Sequence, residues 1–450
     1  MSIPYYKRCL LNISLTVQLA QHISSHHPGE EQRRYARDGV TDYFACLFPV
    51  LHGSVIDSGL DAVFRVYPAE HSRENLALQL GYMSHSLDFD DYHTAFRGHP
   101  TTVVLSALLA LSKDDRSVTA EQFLDAYIVG VELAGRLGKA IGTRHYSAGF
   151  HSTATLGTVA AAGAACRLLA LSTAETEVAI GLAATQASGL RSQFGSAAKP
   201  LHAGLAARSA VSSVQLAQAG FGGQRSGVLD SFLQTLGFGA GQPQALLSGW
   251  GQPWRIEEPG LEFKRYPTCG GTHSAAEAAF VLREQLLAAG VETTLDVIER
   301  IEVSFPPGAD TAANIIAPQN GVEARFSLEY VIADALIHGG VALENYSESP
   351  VKPAIAALAS RVTRRPDPTA PADELDPDRR FHCVTVWLSD GRTLSHCVTR
   401  RETAAAFTDV QAKLQRSLAA LPDAQAQTLL REARLPDADA LHHLIFLISQ

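Results

Sequence analysis

Residues 151–190 and 201–220 are built largely from alanine, glycine, serine and threonine, in helical rather than alternating order. Side chains this small let helix axes approach closely, so the two stretches predict helices in the middle of a bundle. That constraint sets the expected fold of residues 14–250, where helix signals recur throughout. Thr119 with Gln122 and Ser172 with Glu175 form capping boxes, each side chain satisfying an amide that the helix start leaves unpaired. Pro100 suits the first turn of a helix through residue 111, and Gly220 suits a helix end.

The pattern changes after about Pro259. Residues 297–305 alternate like a strand, and residues 383–388 and 393–398, separated by Asp390-Gly391, predict a β-hairpin. Helical periodicity spans residues 326–344, residues 364–380 read as a Pro- and Asp-rich loop, and helical order returns from Thr403. The expected fold is mainly α: a large all-helical domain plus a smaller α+β domain inserted before a C-terminal helical tail. The boundaries fall at residues 1–262, 263–400 and 401–450, the last returning to the first domain.

A chain of 450 residues with a formal charge of −9 carries no basic stripe for neutralising phosphates, which excludes nucleic acid as the expected partner. No stretch is long and apolar enough to predict a membrane span. The N-terminal apolar run is interrupted by Asn12 and Ser14 and has no cleavage signature. Six scattered cysteines without a C-x-x-C pair suggest neither a zinc site nor a disulfide framework, and a reduced cytoplasm is the expected location.

Four clusters carry chemistry. Residues 87–100 place Asp88, Asp90, Asp91, His93, Arg97 and His99 between two apolar helical patterns, a density that perturbs the pKa values of its members. His151 opens an alanine-rich helix, where the positive end of the helix dipole favours the neutral, proton-accepting imidazole. Lys199 precedes another helix start, and Lys264 and Arg265 precede a Gly-rich turn ending at His273. Two separated cationic sites suit a substrate with more than one carboxylate. His85 and His202, each alone on a helix, read as packed or solvated residues.

In order, these segments read LDFDDYHTAFRGHP (87–100), GFHSTATLGTVAAAGAA (149–165), GLAATQASGLRSQFGSAAKPLHAGLAAR (181–208), FKRYPTCGGTH (263–273) and ARFSLEYVIADALIHG (324–339). The chain thereby resembles the MmgE/PrpD family, which includes 2-methylcitrate dehydratase, cis-aconitate decarboxylase and iminodisuccinate epimerase. The resemblance implies a homodimer, an active site between the two domains, and Asp88, His99, His151, Lys199, Lys264 and Tyr330 as its residues. Two departures stand out: Tyr92 follows the aspartate pair where the decarboxylases carry threonine, and the spacing from Asp88 to His99 is one residue longer.

The expected function is therefore that of a cofactor-independent and metal-free lyase, a dehydratase or decarboxylase, acting on a small di- or tricarboxylate by proton transfer beside a carboxylate. Asp88, His99, His151 and Tyr330 are its expected catalytic residues, with Asp88 orienting a histidine or acting as a base and Tyr330 donating a proton to a leaving hydroxyl. Tyr92, Lys199, Lys264, Arg265 and His273 are expected to bind substrate. Rival readings are an epimerase, a D-x-D-D terpene cyclase using Asp88 to Asp91, a metal site at His85, Asp88, Asp90, Asp91 and His93, and a non-catalytic anion-binding protein.

Overall fold

The computed structural model describes residues 14–373, 375 and 379–450. Cys9 and the N-terminal apolar run up to residue 13 lie outside the described residues. Helices follow one another from Leu15–Ser25 to Val228–Leu236. The expected caps form: Thr119 and Ser172 each accept from the backbone three residues on while Gln122 and Glu175 reach back. Pro100 opens the helix Pro100–Leu111, which is buried along its whole length. Gly220 adopts φ +80° just past the helix Ala198–Gln218, as a left-handed helix stop requires.

The small-residue helix Ala198–Gln218 packs along Arg73–His85. A Cβ on Gly81 would stand 2.8 Å from Gly204 Cα, and one on Gly204 would strike the Leu78 carbonyl. Only glycine permits this approach. The two helices run antiparallel, so the last residue of one, His85, meets Lys199 at the start of the other, 3.1 Å away.

Residues of the second region form a four-stranded sheet of order β2-β1-β3-β4, from β1 (Ile298–Phe305), β2 (Val362–Pro366), β3 (Phe381–Leu388) and β4 (Thr393–Thr399). The predicted strand and hairpin are β1, β3 and β4. Three expectations need correction. The loop expected over 364–380 begins inside β2, a short strand reading Val-Thr-Arg-Arg-Pro that lies parallel to β1 at the sheet edge, where exposure of all but Val362 and part of Arg364 erases the apolar alternation. The helix expected over 326–344 stops at His338 because Gly339 turns at φ +69°. Cys383 and Cys397, expected to be unpaired, stand opposite each other in the β3–β4 register and form a disulfide. Strand pairing, not sequence spacing, brings them together.

Buried hydrophobic residues gather in two main clusters. One draws on the helices through Trp254 and Ile256 and takes up Leu414, Leu429, Leu441 and Leu444 from the C-terminal helices. The other joins Ala275 and Leu282 of the helix His273–Ala288 to Ile301, Val303, Val331, Val384 and Val386. No helix among the described residues is long and apolar enough to cross a membrane.

Candidate active site

Asp88 lies three residues past the end of Arg73–His85 at φ +49°, in the left-handed region that aspartate tolerates better than most residues. Downstream, the loop is tied to the segment carrying Lys264, because Tyr92 and Glu262 exchange both backbone hydrogen bonds, at 2.9 and 2.8 Å. His99 caps the helix Pro100–Leu111, and its backbone N–H donates to Thr153 in the first turn of Ser152–Leu168, the helix capped by His151. Two helix starts thus bring the two histidines to one place.

The side chains converge on Asp88. Its Oδ1 accepts from Lys199 Nζ at 2.9 Å and from Lys264 Nζ, which also donates to the Asp88 backbone carbonyl at 2.8 Å. Lys199 donates its second N–H to Nε2 of His85, whose Nδ1 donates to Asp90 Oδ2 at 2.8 Å. An ammonium has three donors, so each lysine keeps one for a ligand. His99 Nδ1 sits 2.6 Å from the Asp91 carbonyl. A carbonyl only accepts, so His99 carries its proton on Nδ1 and presents a lone pair at Nε2. All of these side chains are buried.

Burial pushes the three carboxyl groups upward, and their partners decide the outcome. For Asp88, the Lys199 and Lys264 ammoniums overcome burial and hold it well below the usual carboxylate range. Asp90 is likewise lowered, by His85 and His99. Asp91 has no cation of its own and is raised well above, by burial and by Asp42. Burial holds His99 and His151 well below the usual imidazole value, and the lysines add to this. Both are proton acceptors at neutral pH. Lys264 is raised, since Asp88 and Asp90 outweigh its burial, whereas burial wins at Lys199 and lowers it.

Asp88, Tyr92, His99, His151, Lys199, Lys264, Arg265 and His273 all line one cleft of about 800 Å³. Within it the roles differ from expectation. Asp88, ionised between two ammoniums, is their counter-ion, and its Oδ1 lies 3.8 Å from His99 Nε2. Arg265 is already paired with Glu277 at 2.5 Å. His273 sits in the wall near Thr268, its Nε2 3.2 Å from that carbonyl. Tyr92 meets His99 edge-on, ring centroids 5.9 Å apart. Tyr330 is not in the cleft: it is fully buried in the second core, and its hydroxyl accepts from the backbone N–H of Lys352. Its helix packs against the helices His273–Ala288 and Pro353–Ala359, and its ring meets Tyr346 edge-on at 5.7 Å, a placement invisible in the motif that sets it apart from the proton chemistry expected of it.

The structure adds His85, buried between Asp90 and Lys199, and His202, whose Nδ1 lies 3.2 Å from Nδ1 of His151. Lys199 and His202, three apart in one helix, share a face, a signal the sequence does contain. Among the described residues, the potential metal ligands with donor atoms within 4.8 Å of one another are His85, Asp90 and His99. Two ammoniums alongside oppose a dication there, and both Nδ1 atoms already face oxygen acceptors.

Residues 17–240 match the MmgE/PrpD N-terminal domain, and residues 266–435 match the MmgE/PrpD C-terminal domain. The chain belongs to the MmgE/PrpD family. Human cis-aconitate decarboxylase is 31% identical over 326 residues, covering 70% of this chain and 65% of that protein. The mouse cis-aconitate decarboxylase is 30% identical over 335 residues, 70% of this chain and 64% of its own length. That of Aspergillus terreus is 28% identical over 337 residues, 70% and 67% respectively. The chain thus spans a little under two thirds of the human and mouse proteins it matches.

Proposed function

We propose that this MmgE/PrpD chain is a lyase that acts without a cofactor on a small di- or tricarboxylate, with decarboxylation of cis-aconitate the favoured reaction. The observation that carries the reading is the arrangement in the cleft: two buried ammoniums, each with one N–H to spare, beside two histidines held in the neutral form. The likeness to cis-aconitate decarboxylases supports the choice of substrate.

Substrate carboxylates take the remaining N–H groups of Lys199 and Lys264. As the bond to the departing carboxyl breaks, its electron pair moves onto carbon and is spread toward a carboxylate held by lysine, in a site where water does not screen that charge. His99 or His151 exchanges the proton at carbon. Asp88 holds both ammoniums in place. A terpene cyclase needs a protonated aspartic acid facing its substrate; Asp88 and Asp90 are held ionised, while Asp91, the carboxyl that is raised, accepts from Thr101 and does not line the cleft. Dehydration of methylcitrate and epimerisation of iminodisuccinate begin with the same proton exchange and are the alternatives within the family.

The reading includes a homodimer joined through the helical domain, supported by exposed Leu205, Leu216 and Phe221 on and just beyond the small-residue helix Ala198–Gln218. It treats residues 1–262 and 401–450 as one domain and 263–400 as the other. Incubation with citrate, methylcitrate, cis-aconitate and iminodisuccinate, followed by NMR and mass spectrometry, tests the activity. Loss of carbon dioxide from cis-aconitate, unaffected by exhaustive chelation, is the expected result. Turnover of methylcitrate alone makes it a dehydratase, and activity restored only by a divalent metal moves the chemistry to His85, Asp90 and His99.

A further inference from the structure

His151 and His202 face each other through Nδ1 atoms 3.2 Å apart, with their rings tilted by 54°. Two imidazole nitrogens at that separation need one proton between them, since two lone pairs repel and two N–H groups collide. On the far side, Nε2 of His151 is buried without a hydrogen-bond partner among the described residues, and His151 lines the cleft. His202 is only partly buried. The pair therefore reaches from the cleft toward solvent.

The surroundings of the pair are cationic or apolar. Lys199 and His85 act on both rings, His85 stacks 5.8 Å from His151, and Phe194 meets His151 edge-on at 5.0 Å. Among the described residues no carboxylate hydrogen-bonds to either ring. Burial first, then Lys199 and His85, holds His151 well below the usual imidazole value; burial, His85 and Lys199 push His202 down to about 4. A lasting imidazolium is costly here. Passing a proton through the pair leaves both rings neutral.

We propose that His202 is the proton partner of His151, moving one proton between the cleft and solvent through the Nδ1–Nδ1 hydrogen bond. This rests on the lyase reading, in which His151 Nε2 exchanges a proton with substrate carbon. In the removing direction the C–H bond breaks, its electron pair stays on carbon, and the proton bonds to His151 Nε2. The Nδ1 proton of His151 then moves to Nδ1 of His202, whose Nε2 proton leaves to water. One proton enters and one leaves. Run backwards, the same steps deliver a proton to a carbanion left by decarboxylation. The shared proton also sets whether His151 presents a lone pair or an N–H to the cleft, which makes His202 the positioning residue for acid or base function.

Nitrogen-15 NMR of the histidine-labelled enzyme reads the pair directly. One ring is expected as the Nδ1–H tautomer and its mate as the Nε2–H tautomer; Nε2–H on both rings overturns the proposal. In kinetics, His202→Asn is expected to lower kcat about 10²-fold with little change in KM, to shift the pH profile, and to regain rate with added imidazole. Adding His202→Asn to His151→Gln is expected to cost nothing further, because the two act as a unit. Wild-type kcat and pH profile in His202→Asn overturn the proposal, as does a rate loss that only tracks lost folded protein. Should His202→Asn fail to fold, His202→Gln and the wild-type tautomers decide. A wild type that turns over none of the carboxylates yet shows the shared proton overturns the lyase reading and supports the pair.

Discussion

Two buried lysine–carboxylate assemblies lie side by side in this molecule and are finished differently. Lys413, on the returning helix Val410–Ser417, donates to Asp42 Oδ1 and the Phe89 carbonyl, both at 2.6 Å, and to the Lys264 carbonyl at 3.3 Å. Its three donors are used, and Asp42 has no unpartnered oxygen among the described residues. Around Asp88, by contrast, Asp88 Oδ2, Asp90 Oδ1, Asp91 Oδ1 and His151 Nε2 are buried without partners among the described residues, and two ammonium donors are left over there. A buried polar group left unpaired costs roughly 1–3 kcal/mol. The saturated assembly holds the loop and the Lys264 backbone; the unsaturated one is ready for a ligand.

The sharpest way to break this comparison is to mutate both assemblies and read activity and stability separately. His99→Gln and His151→Gln are expected to lower kcat by about 10²–10⁴-fold on the carboxylate the enzyme turns over, with folding intact by circular dichroism. Lys199→Ala and Lys264→Ala follow at about 10²–10³-fold in kcat/KM, because a developing charge loses a preorganised donor. Wild-type kinetics in all four variants would place the chemistry elsewhere. Loss confined to the lysine variants would favour an anion-binding protein.

Lys413→Met should act on stability instead. It strands the Asp42 carboxylate in the core and is expected to cost about 3–5 kcal/mol in urea unfolding. Combining it with Asp42→Asn should recover part of that loss. If Lys413→Met unfolds no more easily than wild type while losing activity, the two assemblies are not different in kind.

A smaller and graded effect follows from pH. His93, pushed down to about 4 by burial, and His99 and His151, held well below the usual imidazole value by burial, stay neutral in the fold while their unfolded counterparts protonate near 6.5. Their folded pKa values lie below the unfolded one, so stability is full above about 6.5 and falls as the pH drops, by about 1.4 kcal/mol per unit for each histidine until its folded pKa is reached. Asp88 is also depressed and loses its contribution only below the unfolded carboxylate value, near 4. Urea midpoints at pH 7.5, 6.5 and 5.5 should fall only across the lower interval, and His151→Gln should flatten that fall. The smallest effect is expected from Tyr330→Phe, about 0.5–1.5 kcal/mol for the hydrogen bond to the Lys352 backbone with kcat unchanged. A large drop in kcat would return Tyr330 to the active site.

Local signals were legible because they are settled within a few residues. The capping boxes at Thr119 and Ser172, Pro100 at a helix start, the Asp390-Gly391 hairpin, and the charged loop with its family landmarks all follow from neighbouring side chains and backbone groups. What remained hidden depends on contacts between distant parts of the chain. Asp88 meets Lys199 and Lys264 over 111 and 176 residues of sequence, and Lys413 reaches Asp42 over 371. No local pattern reveals that Asp88 is a counter-ion, that Tyr330 faces the second core, or that His85 joins the site; for His202 the only local signal is its place three residues after Lys199 on one helix. β2 hid behind its charged edge, and the Cys383–Cys397 disulfide behind strand register. Residue types and their order determined the kind of chemistry and the family. Packing decided the protonation states and pairings, because a pKa depends on which charges surround a group and how little water reaches it, and only the folded chain sets both.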